Sequence, residues 1–220
     1  MEIYAIRHAQ STYNKWSFKR IYTPYAIRHA QSTYNKWSFK RIYTPWLWPV
    51  SDPLIYDAPL STTGVTQASK LKNSTAEIAE KAELIICSPL TRAIHTMQLA
   101  FPNIKCPVII TPLVRERGDK TCDIGSPLSK LKESYPDYEY IHFENEHWWH
   151  CNQDNPFEFT KESRESLRNR QDALIEFLRT RSEKVVIIIS HGQFIKTLIG
   201  KKIQIKNCGI KRLSLEDITR

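Results

Sequence analysis

Tyr4-Ala5-Ile6-Arg7-His8-Ala9-Gln10-Ser11 is a short apolar run that ends in an adjacent arginine and histidine. With Met1-Glu2-Ile3 in front, it reads as a buried strand delivering Arg7 and His8 at its C-terminal end, where open parallel sheets place their ligand sites. An Arg-His pair at such a position suits phosphoryl transfer. One ring nitrogen can attack phosphorus while a hydrogen bond on the other orients the ring, and the guanidinium can grip phosphate oxygens with two prongs. Alone, the dipeptide is a weak motif, because a structural histidine beside a surface arginine looks the same.

The stretch occurs twice. Residues 4–24 recur without change as 25–45, so Arg7-His8 has a twin in Arg28-His29, and Asn14 has one in Asn35. Only one copy can fill one pocket. The second copy enters its Tyr-Ala-Ile through Thr23-Pro24, and proline cannot donate to a sheet ladder, so that strand is shorter and lacks Ile3. Using the first copy lengthens the connection to Ser61 from 32 residues (29 to 61) to 53 (8 to 61). Loop closure makes that cost only about 0.5 kcal/mol. Losing a buried isoleucine costs more, roughly 1 to 3 kcal/mol. The comparison favours His8 in the site, with the first copy as a dangling N-terminal extension the alternative.

Further along, the pattern of strand, turn and helix repeats. Pro45 to Pro59, with Trp46, Trp48 and Tyr56, reads as an irregular loop. Ser61 caps a helix over about 62–82, with Val65, Ala68, Leu71, Ile78 and Ala82 on its apolar face. Glu83 to Cys87 reads as a buried strand, and Ser88-Pro89 as N-cap and first position of a helix carrying Arg92 and Thr96. Arg92 then lies near a strand's C-terminal end, a phosphate-binding position, although a helical arginine is also commonly a solvated one. Pro107 to Ile110 is a short strand leading to Arg115-Glu116-Arg117, where Glu116 could equally be an exposed ion-pair partner. The aromatic and polar segment 119–156 reads as a lid insertion covering the site. Its His142, His147 and His150 lack the spacing of metal ligands, and Trp148-Trp149 reads as local core. Lys161 to Arg181 is a regular helix, Val185 to Ile189 a central parallel strand ending in Ser190-His191-Gly192, and Gln193 to Gly200 the next helix. The alternation argues α/β architecture in one domain over 1–220.

Composition bounds the rest. The 220 residues carry a formal charge of +9. One repeat copy supplies four of those charges, leaving 9 − 4 = +5 for the remainder. The other bases are scattered, which argues against nucleic acid and is matched by a small anionic substrate. Cys87, Cys106, Cys122, Cys151 and Cys208 form no C-x-x-C pair and read as free thiols in a reducing compartment. Neither a signal peptide nor an 18-residue apolar run is present, so the expectation is a cytoplasmic protein that does not act at a membrane, of open oligomeric state.

Five stretches in order resemble the histidine phosphatase superfamily, the phosphoglycerate mutase-like family: Ile6 to Ser11 with Asn14 (or Arg28-His29 with Asn35), Asp57 to Ser61 with Gly64 and Gln67-Ala68, Ser88 to Ala93 with Thr96, Arg115-Glu116, and Ser190-His191-Gly192. The resemblance implies a three-layer sandwich with a mostly parallel central sheet flanked by helices. It implies that His8 or His29 becomes transiently phosphorylated. Arg7 or Arg28, Asn14 or Asn35, Arg92 and His191 would surround the phosphoryl group, Glu116 would serve as acid and then base, and no metal or other cofactor would be needed. Thr121 to Pro127 resembles the phosphatase-like branch more than the glycolytic mutases. The expectation is therefore a metal-independent phosphomonoesterase acting on a small phosphorylated substrate. A mutase-type phosphotransferase, or a catalytically silent phospho-ligand-binding module jammed by its duplication, are the alternatives.

Overall fold

The run Val185-Val-Ile-Ile-Ile-Ser190 has no polar side of its own, so it is stable only when covered on both faces, and it lies at the centre of the sheet. The computed structural model describes residues 1–9, 54–200 and 205–218. Asn14, Arg28, His29 and Asn35, and the part of the expected loop up to 53, lie outside the described residues.

Six strands are described: β1 (Glu2–Arg7), β2 (Leu84–Cys87), β3 (Val108–Ile110), β4 (Glu139–Tyr140), β5 (Val185–Ser190) and β6 (Ile210–Ser214). Their order across the sheet is β4-β3-β2-β5-β1-β6. All neighbours run parallel except β6, which is antiparallel to β1. The register sets Ile3 against Val186 and Leu213, and Arg7 against Ser190. Ile3, which precedes the first repeat copy where Pro24 precedes the second, is fully buried.

The helices are α1 (Thr62–Lys81), α2 (Thr91–Ala100), α3 (Leu128–Ser134), α4 (Arg164–Arg179), α5 (Gly192–Ile199) and the short α6 (Leu215–Ile218). Because strand side chains alternate, β5 sends Val186 and Ile188 into a cluster with Leu167, Leu174 and Phe194 of α4 and α5. Ile187 and Ile189 go the other way, to Ile94 and Met97 of α2 and to Trp148. The result is the expected three-layer α/β arrangement.

Two helical expectations need correction. The buried face of α1 runs through Gly64, Ala68, Leu71 and Thr75, leaving Val65 exposed at 42%. That spacing of four, three and four residues defines a single stripe, and Val65 stands about 100° round from Gly64. Helix α2 starts at Thr91 rather than at Pro89, and no side chain of its own caps it. The Ser88 hydroxyl is engaged elsewhere, and the Thr91 N–H donates instead to Asp57 Oδ1 at 2.8 Å.

Segment 119–156 supplies the sheet's edge strand β4 and much of one core cluster, with Trp148 and Trp149 buried. Its histidines part company: His142 packs edge-on against Phe177, while His147 does so against Trp149 and Phe157. All five cysteines are free thiols. Among the described residues, no helix is long and apolar enough to cross a membrane.

Candidate active site

Three neighbouring strands, β2, β5 and β1, end level with one another, and the residue after each enters the same space. Backbone bonds hold the ends together: His8 N–H donates to Ser190 O at 3.0 Å and Ser88 N–H to Ile189 O at 3.0 Å. His8, Ser88 and His191 therefore meet although they are remote in sequence. The rings of His8 and His191 lie 4.8 Å apart, tilted by 56°, and both side chains are buried.

Each imidazole is oriented by one partner. His8 Nδ1 meets the carbonyl of Ala9, whose own N–H donates to Thr96 Oγ1 at 2.9 Å. A carbonyl can only accept, so the ring proton belongs on Nδ1 and Nε2 keeps its lone pair. His191 Nε2 lies 2.7 Å from Ser88 Oγ, and its Nδ1 is buried with no hydrogen-bond partner among the described residues. Burial first, and then the charges of Arg92 and Arg7, hold the His8 pKa well below its ordinary value. His191 is lowered in the same way. Both rings are neutral near pH 7.

Arg7 and Arg92 approach from opposite sides. Arg7 donates to Ile205 O at 2.8 Å and lies across the start of α5, where a Cβ on Gly192 would fall 2.9 Å from its Cζ. Only glycine admits that approach. Arg92 is buried, donating to Cys122 O at 2.6 Å and to Asp123 Oδ1 at 2.7 Å. Two of its three nitrogens are thus engaged by the loop 122–123, which fixes the guanidinium plane.

Glu116 follows the 3-10 turn Pro112–Val114, which Ser190 ties to β5 by donating its hydroxyl to Val114 O at 2.6 Å. The carboxylate accepts from Arg117 N at 3.0 Å, Phe194 N at 3.0 Å and Gln193 N at 3.2 Å. Burial and the neighbouring Asp123 nevertheless push its pKa up, against those three donors. Beside it stands Glu162, fully buried between Arg115 (2.9 and 3.0 Å) and Arg170 (2.9 Å). Arg170 also donates to the carbonyls of Leu113 and Arg115, at 2.9 Å each, and so braces the turn that carries Glu116.

Of the residues expected at the site, Arg7, His8, Arg92, Glu116 and His191 are brought to one edge of the sheet. Asn14, Arg28, His29 and Asn35 fall outside the described residues. Sequence reasoning missed Ser88, Asp123 and Glu162. Ser88 was visible as a helix start and Asp123 as part of the stretch 121–127, neither with a role at the site, and no local pattern marked Glu162.

Neighbouring imidazoles, two arginines and a buried carboxyl at the C-terminal ends of the strands of a mostly parallel sheet define an α/β protein with a buried polar cluster suited to an anion. The chain belongs to the histidine phosphatase superfamily (branch 1), whose profile matches residues 25–219. It is 29% identical over 157 residues to a Schizosaccharomyces pombe protein named "Probable phosphatase", covering 68% of each chain. An Arabidopsis thaliana phosphoglycerate mutase-like protein is 27% identical over 208 residues, 74% of each chain. The solved alpha-ribazole phosphatase of Shigella flexneri shares the fold, with a TM-score of 0.53, 19% identity and coverage of 97% of this chain and 90% of that one.

The matched span begins with the second repeat copy, whereas the structure sets the first beside His191. A linear comparison of identical stretches favours the shorter connection. Folding also counts Ile3, buried between β5 and β6, which the second copy cannot replace.

Proposed function

We propose that the protein is a metal-independent phosphomonoesterase working through a phosphohistidine on His8. The observation that carries this reading is the pairing of two buried, neutral imidazoles 4.8 Å apart, between two arginines and a carboxyl with a raised pKa.

The His8 Nε2 lone pair attacks phosphorus, and the ester P–O bond breaks with its electron pair passing to the departing oxygen. Glu116, whose burial raises its pKa and so favours the acid form, gives that oxygen its proton. Arg7, Arg92 and His191 hold the phosphoryl oxygens, whose spread charge calls for cationic and N–H donors. The Glu116 carboxylate then takes a proton from water, the water oxygen attacks phosphorus, and the P–N bond electrons return to Nε2. Inorganic phosphate leaves with Glu116 protonated once more. The named relatives, a phosphatase among them, agree with this class of chemistry.

The test is hydrolysis of an aryl phosphate in the presence of a chelator. His8→Asn should abolish turnover and His29→Asn should leave it. The reverse result assigns the site to the second copy, and activity surviving the double change overturns the mechanism. Loss of the phosphoryl group to water rather than to added phosphoglycerate separates hydrolysis from mutase chemistry.

A further inference from the structure

A buried neutral imidazole must place its one proton on one nitrogen, and the partners of the other decide which. For His191 the only partner among the described residues is Ser88 Oγ, 2.7 Å from Nε2. A serine hydroxyl has one proton to give and two lone pairs to offer. One lone pair of Ser88 already accepts the Leu90 N–H, at 3.4 Å. Among the described residues, His191 Nε2 is then the sole acceptor for the Ser88 proton.

We infer that Ser88 is a positioning residue that donates to His191 Nε2 and so fixes the imidazole proton on Nδ1, turning His191 into an N–H donor aimed at the bound phosphoryl group. The inference rests on the proposed phosphatase reading for its purpose, though not for its geometry. Three observations meet in it. Nδ1 is buried without a partner, a state that normally costs free energy and so points to a ligand atom not yet in place. The His8 ring lies 4.8 Å away with its own proton held by the Ala9 carbonyl, so the pair offers a bound group one lone pair and one N–H. Finally, burial, and after it the charges of Arg92 and Arg7, disfavours the cationic form of both rings. A neutral second histidine serves an incoming anion only if the nitrogen facing it carries hydrogen. The opposite tautomer would turn a lone pair toward phosphate oxygens and leave the Ser88 proton without an acceptor.

The decisive measurement is long-range ¹H–¹⁵N NMR on the intact resting protein with ¹⁵N-labelled histidine, with His191→Gln used to assign the signals. The expected spectrum shows His191 with a pyrrole-like Nδ1 and a pyridine-like Nε2, and its Nδ1 proton moves downfield when inorganic phosphate is added. A pyridine-like Nδ1, or a protonated ring at pH 7, overturns the inference, as does an Nδ1 proton indifferent to saturating phosphate. In Ser88→Ala the fixed tautomer should be lost and kcat on an aryl phosphate should fall about 10- to 100-fold, the effect of an unsatisfied buried acceptor. Ser88→Thr, which keeps the hydroxyl, should recover both. An unchanged tautomer and kcat in Ser88→Ala also overturns it. Because the spectrum needs no turnover, a protein with the expected tautomer that hydrolyses nothing would refute the phosphatase reading alone.

Discussion

Glu116 and Glu162 are both buried carboxylates anchored near the same turn, yet they are prepared for opposite purposes. Glu116 is hydrogen-bonded through its carboxylate by backbone N–H groups, with the Arg92 charge nearby, and burial together with Asp123 pushes its pKa up. Glu162 meets two guanidinium groups; burial alone would raise its pKa, but Arg115 and Arg170 prevail and hold it at about 2. Burial biases the first carboxyl toward its acid form, whereas the second is held as a charge. The difference comes from whether guanidinium groups bond the carboxylate directly, and pairs of titratable groups driven apart in this way are candidates for separate acid and base roles.

The largest effect should come from removing the stored proton. Glu116→Gln keeps the shape and loses the acid, so kcat on an alkyl phosphate should fall about 10²- to 10⁴-fold. An aryl phosphate, whose leaving oxygen needs little protonation, should suffer much less, while thermal stability stays close to wild type. Equal losses on both substrates would remove Glu116 from the acid role. Glu162→Gln should do the reverse. It strands two arginine charges in the interior, and breaking a buried pair in this way costs about 3 to 5 kcal/mol, measurable by urea unfolding. The folded fraction should retain most of its turnover.

The sequence shows this contrast only in part, for a physical reason. β1 and β5 are legible because runs of apolar and β-branched residues can satisfy themselves only by burial on both faces. Arg7, His8, Arg92 and His191 are legible because each sits just past a strand or in the first turn of a helix. Glu162 is not: it looks like any exposed acidic residue near a helix start until Arg115, 47 residues earlier, is brought to it. The Ser88–His191 pair, 103 residues apart, is equally invisible, and there the local Ser-Pro signal places the start of the helix two residues too early. Val65 fails for the opposite reason, since hydrophobic character alone does not say which side of a nearly continuous pattern meets the sheet.

Acid sharpens the comparison at intermediate size. His8 and His191 have pKa values well below 6.5 in the folded protein, so below that pH the unfolded chain binds protons that the folded one refuses. Stability is present above the unfolded histidine pKa and is lost as pH falls below it. The slope is up to about 1.4 kcal/mol per pH unit for each ring. Glu162, lowered from 4.5 to about 2, contributes stability that is full above pH 4.5 and disappears as pH falls through about 2. Denaturant titrations should therefore show two descending limbs, one below pH 6.5 and one below 4.5. His191→Gln should make the first shallower, and Glu162→Gln should make the second shallower.

The smallest effect concerns a third carboxylate, whose use differs from both. Asp57 accepts from Thr91 N–H at 2.8 Å, from Thr91 Oγ1 at 2.7 Å and from Ser126 Oγ at 2.8 Å, so it caps α2 from another part of the chain. It neither stores a proton for chemistry nor neutralises a buried cation; it completes a helix start that Ser88 has vacated. Asp57→Ala should then cost about 1 kcal/mol, within the 0.5 to 2 kcal/mol range of lost caps. Asp57→Asn, which retains one carbonyl acceptor, should cost less. Because Arg92 follows Thr91 directly, a small rise in KM for the phosphoester with kcat nearly unchanged should accompany the loss. A fall in kcat as large as that of Glu116→Gln would instead mean that Asp57, and not Glu116 alone, takes part in moving the proton.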